Sequence, residues 1–365
     1  MAIDLPALSR NLEKLQELGG TIRAVVKADA YGHGAVSIAE SLAASGIERF
    51  AVALVEEGIE LRQGGIRGEI LVMGPADASL RALVEEHRLV PVLSSGSQLA
   101  AWLESRGEYP VPVHLKVNTG MNRLGLPAGD LGTAVQRVRA CSELRLEGLM
   151  THFADADEPE STRTAEQRAQ FADTLRSLDP GDGEGVEIHC ANSAALLHHP
   201  SNNAESSRPG LALFGYDPAG RRTDLEPVMS VHARIVQVHE LATGESVGYG
   251  GRWQALRPSR IGTVPVGYAD GYPWRLGGRA EVLIHGRRTP VVGAVSMDML
   301  AVDLTDGSAT EGDRVVLLGR QGSESIDAPE FARRSGTSVY EILCAFGGRL
   351  EKVYGPTATE PAPDR

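Results

Sequence analysis

Short apolar runs alternate with helical patterns along the first part of the chain. The first apolar run, residues 22–26, is rich in β-branched side chains and ends at Lys27, and a helical pattern begins at Ala35. Seven further apolar runs follow, with helical segments between them, at residues 50–54, 70–74, 89–93, 113–120, 144–153, 186–193 and 208–215. Eight strands separated by helices predict a parallel sheet closed into a (β/α)8 barrel of TIM type, and so an α/β fold. An open doubly wound sheet is the alternative, but no GxGxxG motif follows the first strand.

The pattern of apolar and polar residues changes beyond about residue 222. A polar segment is followed by valine-rich segments in which apolar and polar residues alternate, joined by glycine-containing turns. One helical pattern follows near residues 327–334. We therefore predict two domains, a barrel over residues 1–222 and a mostly β domain over residues 223–365. The last nine residues, TATEPAPDR, have the composition of a frayed tail.

Composition narrows the class of protein. The chain has 365 residues and a formal net charge of −12, which argues against nucleic acid or an anionic membrane as the main partner. The three cysteines are too few and too scattered for a disulfide framework or a metal site. No apolar segment has the length of a signal peptide core or a membrane span, so we expect a cytoplasmic protein. No CxxC or HExxH motif is present, so we expect no resident metal.

Polar side chains collect where the predicted barrel strands end. Lysine at such a strand end can act as a base or form a Schiff base, although it can also simply extend into water. Because the carboxyl ends of barrel strands share one face, these side chains are expected to converge there. They are Lys27, Lys116, Asn118, His152, His189, Asn192, Ser193 and Arg208. Several cations with amide and hydroxyl donors suit a bound anion such as a phosphate.

The second domain adds tyrosines in loops. Tyr249 lies between glycines in GYGG, where the backbone can approach a ligand closely. Tyr268, Asp298 with Met297, and Tyr340 follow in comparable positions. A tyrosine in a β domain is usually a half-buried amphipathic residue, and this alternative stays open for Tyr268 and Tyr340.

Taken together these segments resemble the alanine racemases, which are fold-type III enzymes that use pyridoxal phosphate. The resemblance covers nearly the whole chain and rests on the segments VVKADAYGHG, HLKVNTGMNRLG, MTHFADAD, HCANSAA, SSRPGLALFGY, GYGGRW, GYADGYPW, SMDM and VYEILC. It departs from the family at Asn118, where aspartate is usual, and at AFGGRLEKVY near the end of the chain.

The resemblance implies a set of residue roles. Lys27 and Tyr249 would be the two catalytic bases, with Lys27 also bound to the cofactor. Arg123 would face the phenolic oxygen of the cofactor and the substrate, and Lys116 matches a lysine that is often carbamylated. The implied cofactor contacts further include Tyr31, His152, Asn192, Ser193, Arg208, Gly210, Leu211 and Tyr340. Substrate contacts would come from Tyr268, Met297 and Asp298.

The implied reaction is the interconversion of L-alanine and D-alanine, which supplies D-alanine for peptidoglycan. Lys27 would serve the D-enantiomer and Tyr249 the L-enantiomer, in a homodimer in which Tyr249 comes from the other subunit. An Arg208–His152–Tyr249 chain would favour the phenolate, since tyrosine ordinarily titrates near pKa ~10. The alternatives are a broad-specificity or serine racemase, a related decarboxylase, a metal-dependent barrel hydrolase and a non-catalytic pyridoxal phosphate carrier.

Overall fold

The chain folds into two compact units. A computed structural model describes residues 1–158, 160–179, 181, 183–199 and 206–356. One unit, the barrel unit, consists of Leu8–Ala30 and Ala35–Glu226. The other, the β unit, consists of Met1–Ala7, Tyr31–Gly34 and the chain from Pro227 onward. The predicted frayed tail, residues 357–365, lies outside the described residues.

Parallel strands in sequence order form the wall of the barrel unit. Among the described residues there are eight, namely Ala24–Val25, Arg49–Val52, Glu69–Val72, Leu89–Leu93, Val111–Asn118, Leu144–Met150, Glu187–Asn192 and Ser206–Arg208. A short strand, Leu126–Pro127, pairs with Val111–Asn118 beside this path. The first and last strands meet through a parallel bridge between Ile22 and Ser207, and the Arg23 amide donates to the Ser207 carbonyl at 2.8 Å. The predicted (β/α)8 barrel is confirmed.

Helices follow the strands around the barrel. The α-helices of the part of the chain before residue 200 that the structure describes are Leu5–Glu17, Ala35–Ala44, Val55–Gln63, Arg81–Glu86, Gly96–Glu104, Leu131–Arg139, Arg163–Arg176 and Ser193–His198. Local sequence sets several starts, because the Ser95 side chain accepts the Gln98 amide and the Asn192 side chain accepts the Ala195 amide. No helix within the described residues combines the length and the apolar character needed to cross a bilayer.

The predicted eighth strand was wrong in its position. The strand ends at Arg208, whereas residues 208–215 were expected to form it. Beyond it the chain turns, with the amides of Leu213 and Phe214 donating to the carbonyls of Gly210 and Leu211. Pro209 has no amide hydrogen to continue the ladder, and the apolar run that follows is buried as turns. An apolar run by itself does not distinguish these two states.

Charged side chains fill the barrel at the amino ends of its strands. Arg23 is fully buried and pairs with Glu69 at 2.6 Å and with Glu187 at 2.5 Å. Both carboxylates come from the first residue of their strands. These ion pairs occupy one end of the barrel interior, which leaves the carboxyl ends of the strands for the site.

The β unit is mostly sheet, as expected. Its main sheet includes Ala2–Asp4 from the start of the chain, which pairs with Met229–Arg234 and Val353–Gly355. The other strands of the unit, within the described residues, are Gln237–Leu241, Ser246–Val247, Trp253–Gln254, Ser259–Val264, Glu281–Ile284, Arg287–Val292, Leu300–Asp303, Arg314–Gln321 and Glu324–Ile326.

The β unit has a second late α-helix, which was not predicted from the sequence. The expected late helix is present as Ala328–Ser335, and another follows at Val339–Ala345. The side chain of Ser338 accepts the amide of Glu341 and begins this second helix. The spacing Ser338–Val–Tyr–Glu341 is a capping-box pattern, which was the available signal. Tyr340 therefore lies in the first turn of a helix.

Candidate active site

The backbone becomes left-handed directly after Lys27. Residues Ala28, Asp29, Ala30 and Tyr31 all have φ between 52° and 54°. None of them is glycine, and the left-handed conformation costs an L-residue roughly 1–2 kcal/mol. The Asp29 side chain accepts the Ala35 amide at 2.7 Å, and the Ala30 amide donates to the Val26 carbonyl at 2.9 Å. Backbone strain of this kind is concentrated at functional sites, where surrounding contacts hold it in place.

The predicted strand-end cations lie close enough together to affect one another. Burial, together with the charges of Arg208, Arg123 and Lys27, lowers the pKa of Lys116 to about 8. The pKa of His152 lies well below its usual value because of burial and the charges of the same cations and Lys116. The structure thus brings Lys27, Lys116, Arg123, His152 and Arg208 into one electropositive cluster.

Arg208 is held firmly within this cluster. Its Nη1 lies 2.9 Å from Nδ1 of His189, and its Nη2 donates to the carbonyls of Thr151 at 2.8 Å and Cys190 at 3.1 Å. Nη2 also lies 3.4 Å from Nδ1 of His152. Burial lowers the pKa of Arg208 to about 10, so the guanidinium is still protonated at neutral pH.

A pair of buried histidines extends from Arg208 into the barrel. Nε2 of His189 lies 2.8 Å from Nδ1 of His114, and the rings meet edge to face. Burial and nearby arginines hold the pKa of both imidazoles well below the usual value, so both are neutral. Gly148 makes room for the second ring, because a Cβ there would lie 2.2 Å from Nδ1 of His114.

The same histidines and Glu187 place possible metal-ligand atoms within 4.8 Å of one another. No metal was expected from the sequence. Glu187 is paired with Arg23 and also approaches Arg49 at 3.5 Å, and arginines lower the pKa of both histidines. Positive charge on this scale opposes cation binding. We interpret the cluster as part of the hydrogen-bonded barrel interior.

Residues predicted to contact the phosphate meet at the start of a helix. Oγ of Ser193 accepts the amides of Gly210 at 3.0 Å and Ala212 at 3.2 Å. The helix Ser193–His198 begins here, with Asn192 as its cap, and Leu211 is buried beside it. The Asn192 side chain is thus engaged with the Ala195 amide. A hydroxyl and several backbone amides are gathered in one place, as in anion sites.

Asn118 organises the loop that leads to Arg123. Its Oδ1 accepts the amides of Gly120 at 3.1 Å and Asn122 at 3.0 Å, and its Nδ2 donates to Oδ1 of Asn122 at 2.9 Å. Asn122 has φ 57°, a conformation that asparagine tolerates. An aspartate would offer the same acceptor to the two amides, so the departure from the family at Asn118 preserves this turn.

The β unit brings its own predicted residues together. A pocket of about 530 Å³ is lined by Tyr249, Tyr268, Met297 and Asp298, with Arg252 and Trp274 beside them. Tyr249 is 77% exposed, and the Arg252 guanidinium lies 4.9 Å from the Trp274 ring centroid. Asp298 is paired with Arg349 at 2.9 Å.

Two further predicted residues lie close together elsewhere in the β unit. The ring centroids of Tyr31 and Tyr340 are 6.0 Å apart. Tyr31 belongs to the left-handed segment, and Tyr340 to the helix Val339–Ala345. Both had been assigned to the phosphate, and the structure makes them neighbours.

Some residues with a clear place at these sites were missed. His114 and Lys116 are two positions apart on one strand, a spacing that puts both side chains on the same face. This spacing was the signal for His114. Glu57, which contacts the amide after Lys27, and Arg252 with Trp274 carry no comparable pattern.

The fold and the lysine-centred cation cluster define a barrel enzyme with an added β domain. Residues 3–218 match the family model "Alanine racemase, N-terminal domain", and residues 228–354 match "Alanine racemase, C-terminal domain". The chain belongs to the alanine racemase family, and its enzyme class is that of the isomerases.

Individual relatives agree with this assignment over nearly the full length. The alanine racemase of Azoarcus sp. is 44% identical, with 94% of this chain and 95% of that protein covered. The crystal structure of alanine racemase from E. faecalis superposes with a TM-score of 0.91 at 34% identity, covering 97% of each chain. The structure from Bartonella henselae, which contains covalently bound pyridoxal phosphate, gives a TM-score of 0.86 at 28% identity, covering 97% of this chain and 98% of that one.

Proposed function

We propose that this chain interconverts L-alanine and D-alanine with pyridoxal phosphate, and that the D-alanine serves peptidoglycan synthesis. The observation that carries the proposal is the cluster of Lys27, Lys116, Arg123 and Arg208, in which burial and the charges of the other three cations lower the pKa of Lys116 to about 8. A cluster of like charges is unfavourable unless an anion joins it. A cofactor with a phosphate and a phenolic oxygen supplies such an anion.

The donors of the barrel unit fit this cofactor. The Ser193 hydroxyl and the Gly210 and Leu211 amides suit the phosphate, with Asn192 at the same helix start. Arg123 would face the phenolic oxygen of the cofactor and Arg208 the ring nitrogen. His152 would lie against the ring. The covalent cofactor in the Bartonella henselae structure supports this assignment.

The bound cofactor would withdraw electrons from the substrate and so make its α-proton acidic. The protein then has to move that proton between two faces. Nζ of Lys27, which would hold the cofactor before substrate binds, would remove or return the α-proton of D-alanine. Tyr249 would remove or return the α-proton of L-alanine. The exposure of Tyr249 in a single chain supports a homodimer in which this residue comes from the second copy.

Hydrogen bonding supports a role for His152 in activating the tyrosine. Because a guanidinium can only donate, Nδ1 of His152 accepts from Arg208, and its proton is on Nε2. An Nε2–H group aimed at Tyr249 of a second copy would stabilise the phenolate. Arg208, still protonated at neutral pH, would leave the cofactor nitrogen unprotonated, which limits electron withdrawal and disfavours transamination.

Substrate contacts are assigned to Arg123 and to the β-unit pocket with Tyr268, Met297 and Asp298. The pKa of Lys116, about 8, leaves a fraction of this amine neutral at physiological pH, which favours carbamylation. A cytoplasmic location remains a prediction from the sequence.

The test is racemisation by purified protein supplied with pyridoxal phosphate. L-Alanine, L-serine and L-lysine are compared, and the product enantiomers are separated by chiral chromatography. Turnover of alanine alone is expected. Comparable turnover of serine or lysine would move the assignment to a broad-specificity racemase. A yellow protein that racemises none of them would contradict the catalytic assignment and leave a cofactor carrier.

A further inference from the structure

Hydrogen bonds fix the backbone on both sides of Lys27. The Val26 amide donates to the Ala51 carbonyl at 2.9 Å, which is where the pairing between the first two strands ends. Two residues later the Ala28 amide donates to Oε1 of Glu57 at 2.7 Å. The side chain of Glu57 thus accepts the backbone amide at the point where pairing between the strands has ended and the left-handed turn begins.

The same carboxylate also fixes the end of the neighbouring strand. Oε2 of Glu57 accepts the amides of Ala53 at 2.6 Å and Leu54 at 3.0 Å. Glu57 lies in the first turn of the helix Val55–Gln63, so these bonds cap that helix. One side chain therefore joins the segment that contains Lys27, the end of the second strand and the helix that follows it.

We propose that Glu57 is a positioning residue for Lys27. By holding the Ala28 amide, it fixes the backbone on the C-terminal side of Lys27 and so the direction in which the lysine side chain leaves the sheet. This inference rests on the proposed function, in which Nζ of Lys27 takes the α-proton of D-alanine and returns it. Proton transfer requires close alignment of donor and acceptor, and small displacements lower its rate steeply.

Two substitutions separate the Ala28 bond from the helix cap, and the first of them is designed to keep the cap. In Glu57→Gln the single side-chain oxygen can serve Ala53 and Leu54, which leaves an NH2 group facing the Ala28 amide. In Glu57→Asp the negative charge is kept, but the shorter side chain cannot span both sets of amides. Glu56→Gln is the matched control, because Glu56 is exposed on the same helical turn and the charge change is the same.

The first measurement is made on the cofactor-free protein. Hydrogen exchange followed by mass spectrometry reports the amides of Ala28, Ala53 and Leu54. Glu57→Gln should speed exchange at Ala28 by at least about tenfold and leave the two cap amides protected, whereas Glu56→Gln should change none of them. Unchanged protection of Ala28 in Glu57→Gln would overturn the inference.

The second measurement isolates proton transfer at Lys27. In a Tyr249→Phe background with pyridoxal phosphate bound, the α-proton of D-alanine is exchanged with D2O and followed by NMR. Adding Glu57→Gln or Glu57→Asp should slow this exchange on the order of tenfold or more, and adding Glu56→Gln should not. An unchanged rate would show that Glu57 serves only the backbone and would overturn the inference. If Tyr249→Phe alone exchanges no α-proton, the proposed function fails and the inference with it.

Discussion

Arg208 fixes the tautomer of His189 through a single hydrogen bond. Nη1 of Arg208 lies 2.9 Å from Nδ1 of His189, and a guanidinium can only donate, so Nδ1 accepts. The proton of His189 is therefore on Nε2, which donates to Nδ1 of His114 at 2.8 Å. The chain of donors runs in one direction, from Arg208 through His189 to His114, and it orients the guanidinium proposed to face the cofactor nitrogen.

Gly148→Ala should disturb this chain from outside the cation cluster. The new Cβ would lie 2.2 Å from Nδ1 of His114 and force that ring to move. Overpacking of a buried position costs about 1–3 kcal/mol, and we expect the free energy of unfolding to fall by this amount. The turnover number should fall as well, because His189 loses its acceptor. Urea unfolding and racemisation kinetics measure the two effects.

Gly132→Ala is the matched control for that substitution. Gly132 lies in the helix Leu131–Arg139, and a Cβ there would meet no atom within 4 Å. Alanine in a helix is favoured over glycine by roughly 0.5–1 kcal/mol, so this variant should keep its activity and gain slightly in stability. If Gly148→Ala and Gly132→Ala had the same unfolding free energy and turnover number, the contact between residue 148 and His114 would not affect stability or catalysis.

Arg208→Glu should change the balance between two reactions. A carboxyl group in place of the guanidinium would favour a protonated cofactor nitrogen and stronger electron withdrawal. We expect transamination to rise relative to racemisation, while racemisation itself falls. Pyruvate formation per racemisation event, measured from D-alanine, gives the ratio. Arg145→Glu, at a side chain that is 61% exposed, is the control. An unchanged ratio would count against the role of Arg208.

The barrel was predictable because its signals are local and repeated. Each strand is an apolar run of a few residues, and the helices between them have caps such as Ser95 that the sequence displays. The positions of Lys27, His152 and Arg208 followed from a rule about strand ends in parallel sheets. The eighth strand was misplaced because the apolar residues after Arg208 are buried as turns, and burial alone produces the same pattern.

The features that escaped prediction depend on contacts between distant parts of the chain. Four left-handed residues without a glycine cannot be read from KADAY, because helical propensity favours the right-handed form. The bond between Glu57 and Ala28 joins residues 29 positions apart. The histidine pair likewise requires the barrel to close before His114 and His189 meet. Such contacts become visible only in the folded chain.

Lys116→Met should stabilise the protein in a pH-dependent manner. The pKa of Lys116 is lowered from 10.5 to about 8 in the folded state, so between these values the unfolded chain binds more protons and stability rises with pH. Below pH 8 the buried charge is present and unfavourable. Methionine removes it, and the gain in unfolding free energy should be about 3 kcal/mol at pH 7 and about 1 kcal/mol at pH 9.5.

Urea unfolding of both proteins in CO2-free buffer, which keeps Lys116 unmodified, tests this expectation. The comparison at two pH values serves as its own control, since all other groups are shared by the two proteins. If the difference in unfolding free energy between the two proteins stays constant from pH 7 to pH 9.5, the pKa of Lys116 is not lowered by its surroundings.

Tyr249→Phe should remove one of the two proposed bases without disturbing cofactor binding. The phenol is 77% exposed in a single chain, so the loss of its hydroxyl group leaves no buried group of the same chain unpaired, and the unfolding free energy of the single chain should stay within about 0.5 kcal/mol. Turnover from L-alanine should fall by at least about 100-fold, the usual range for a lost acid–base group. Tyr109→Phe, at another exposed tyrosine whose hydroxyl donates to Glu108, is the control. Loss of cofactor absorbance in Tyr249→Phe would instead assign the residue a structural role, because a base removed from the L-face has no reason to release the cofactor.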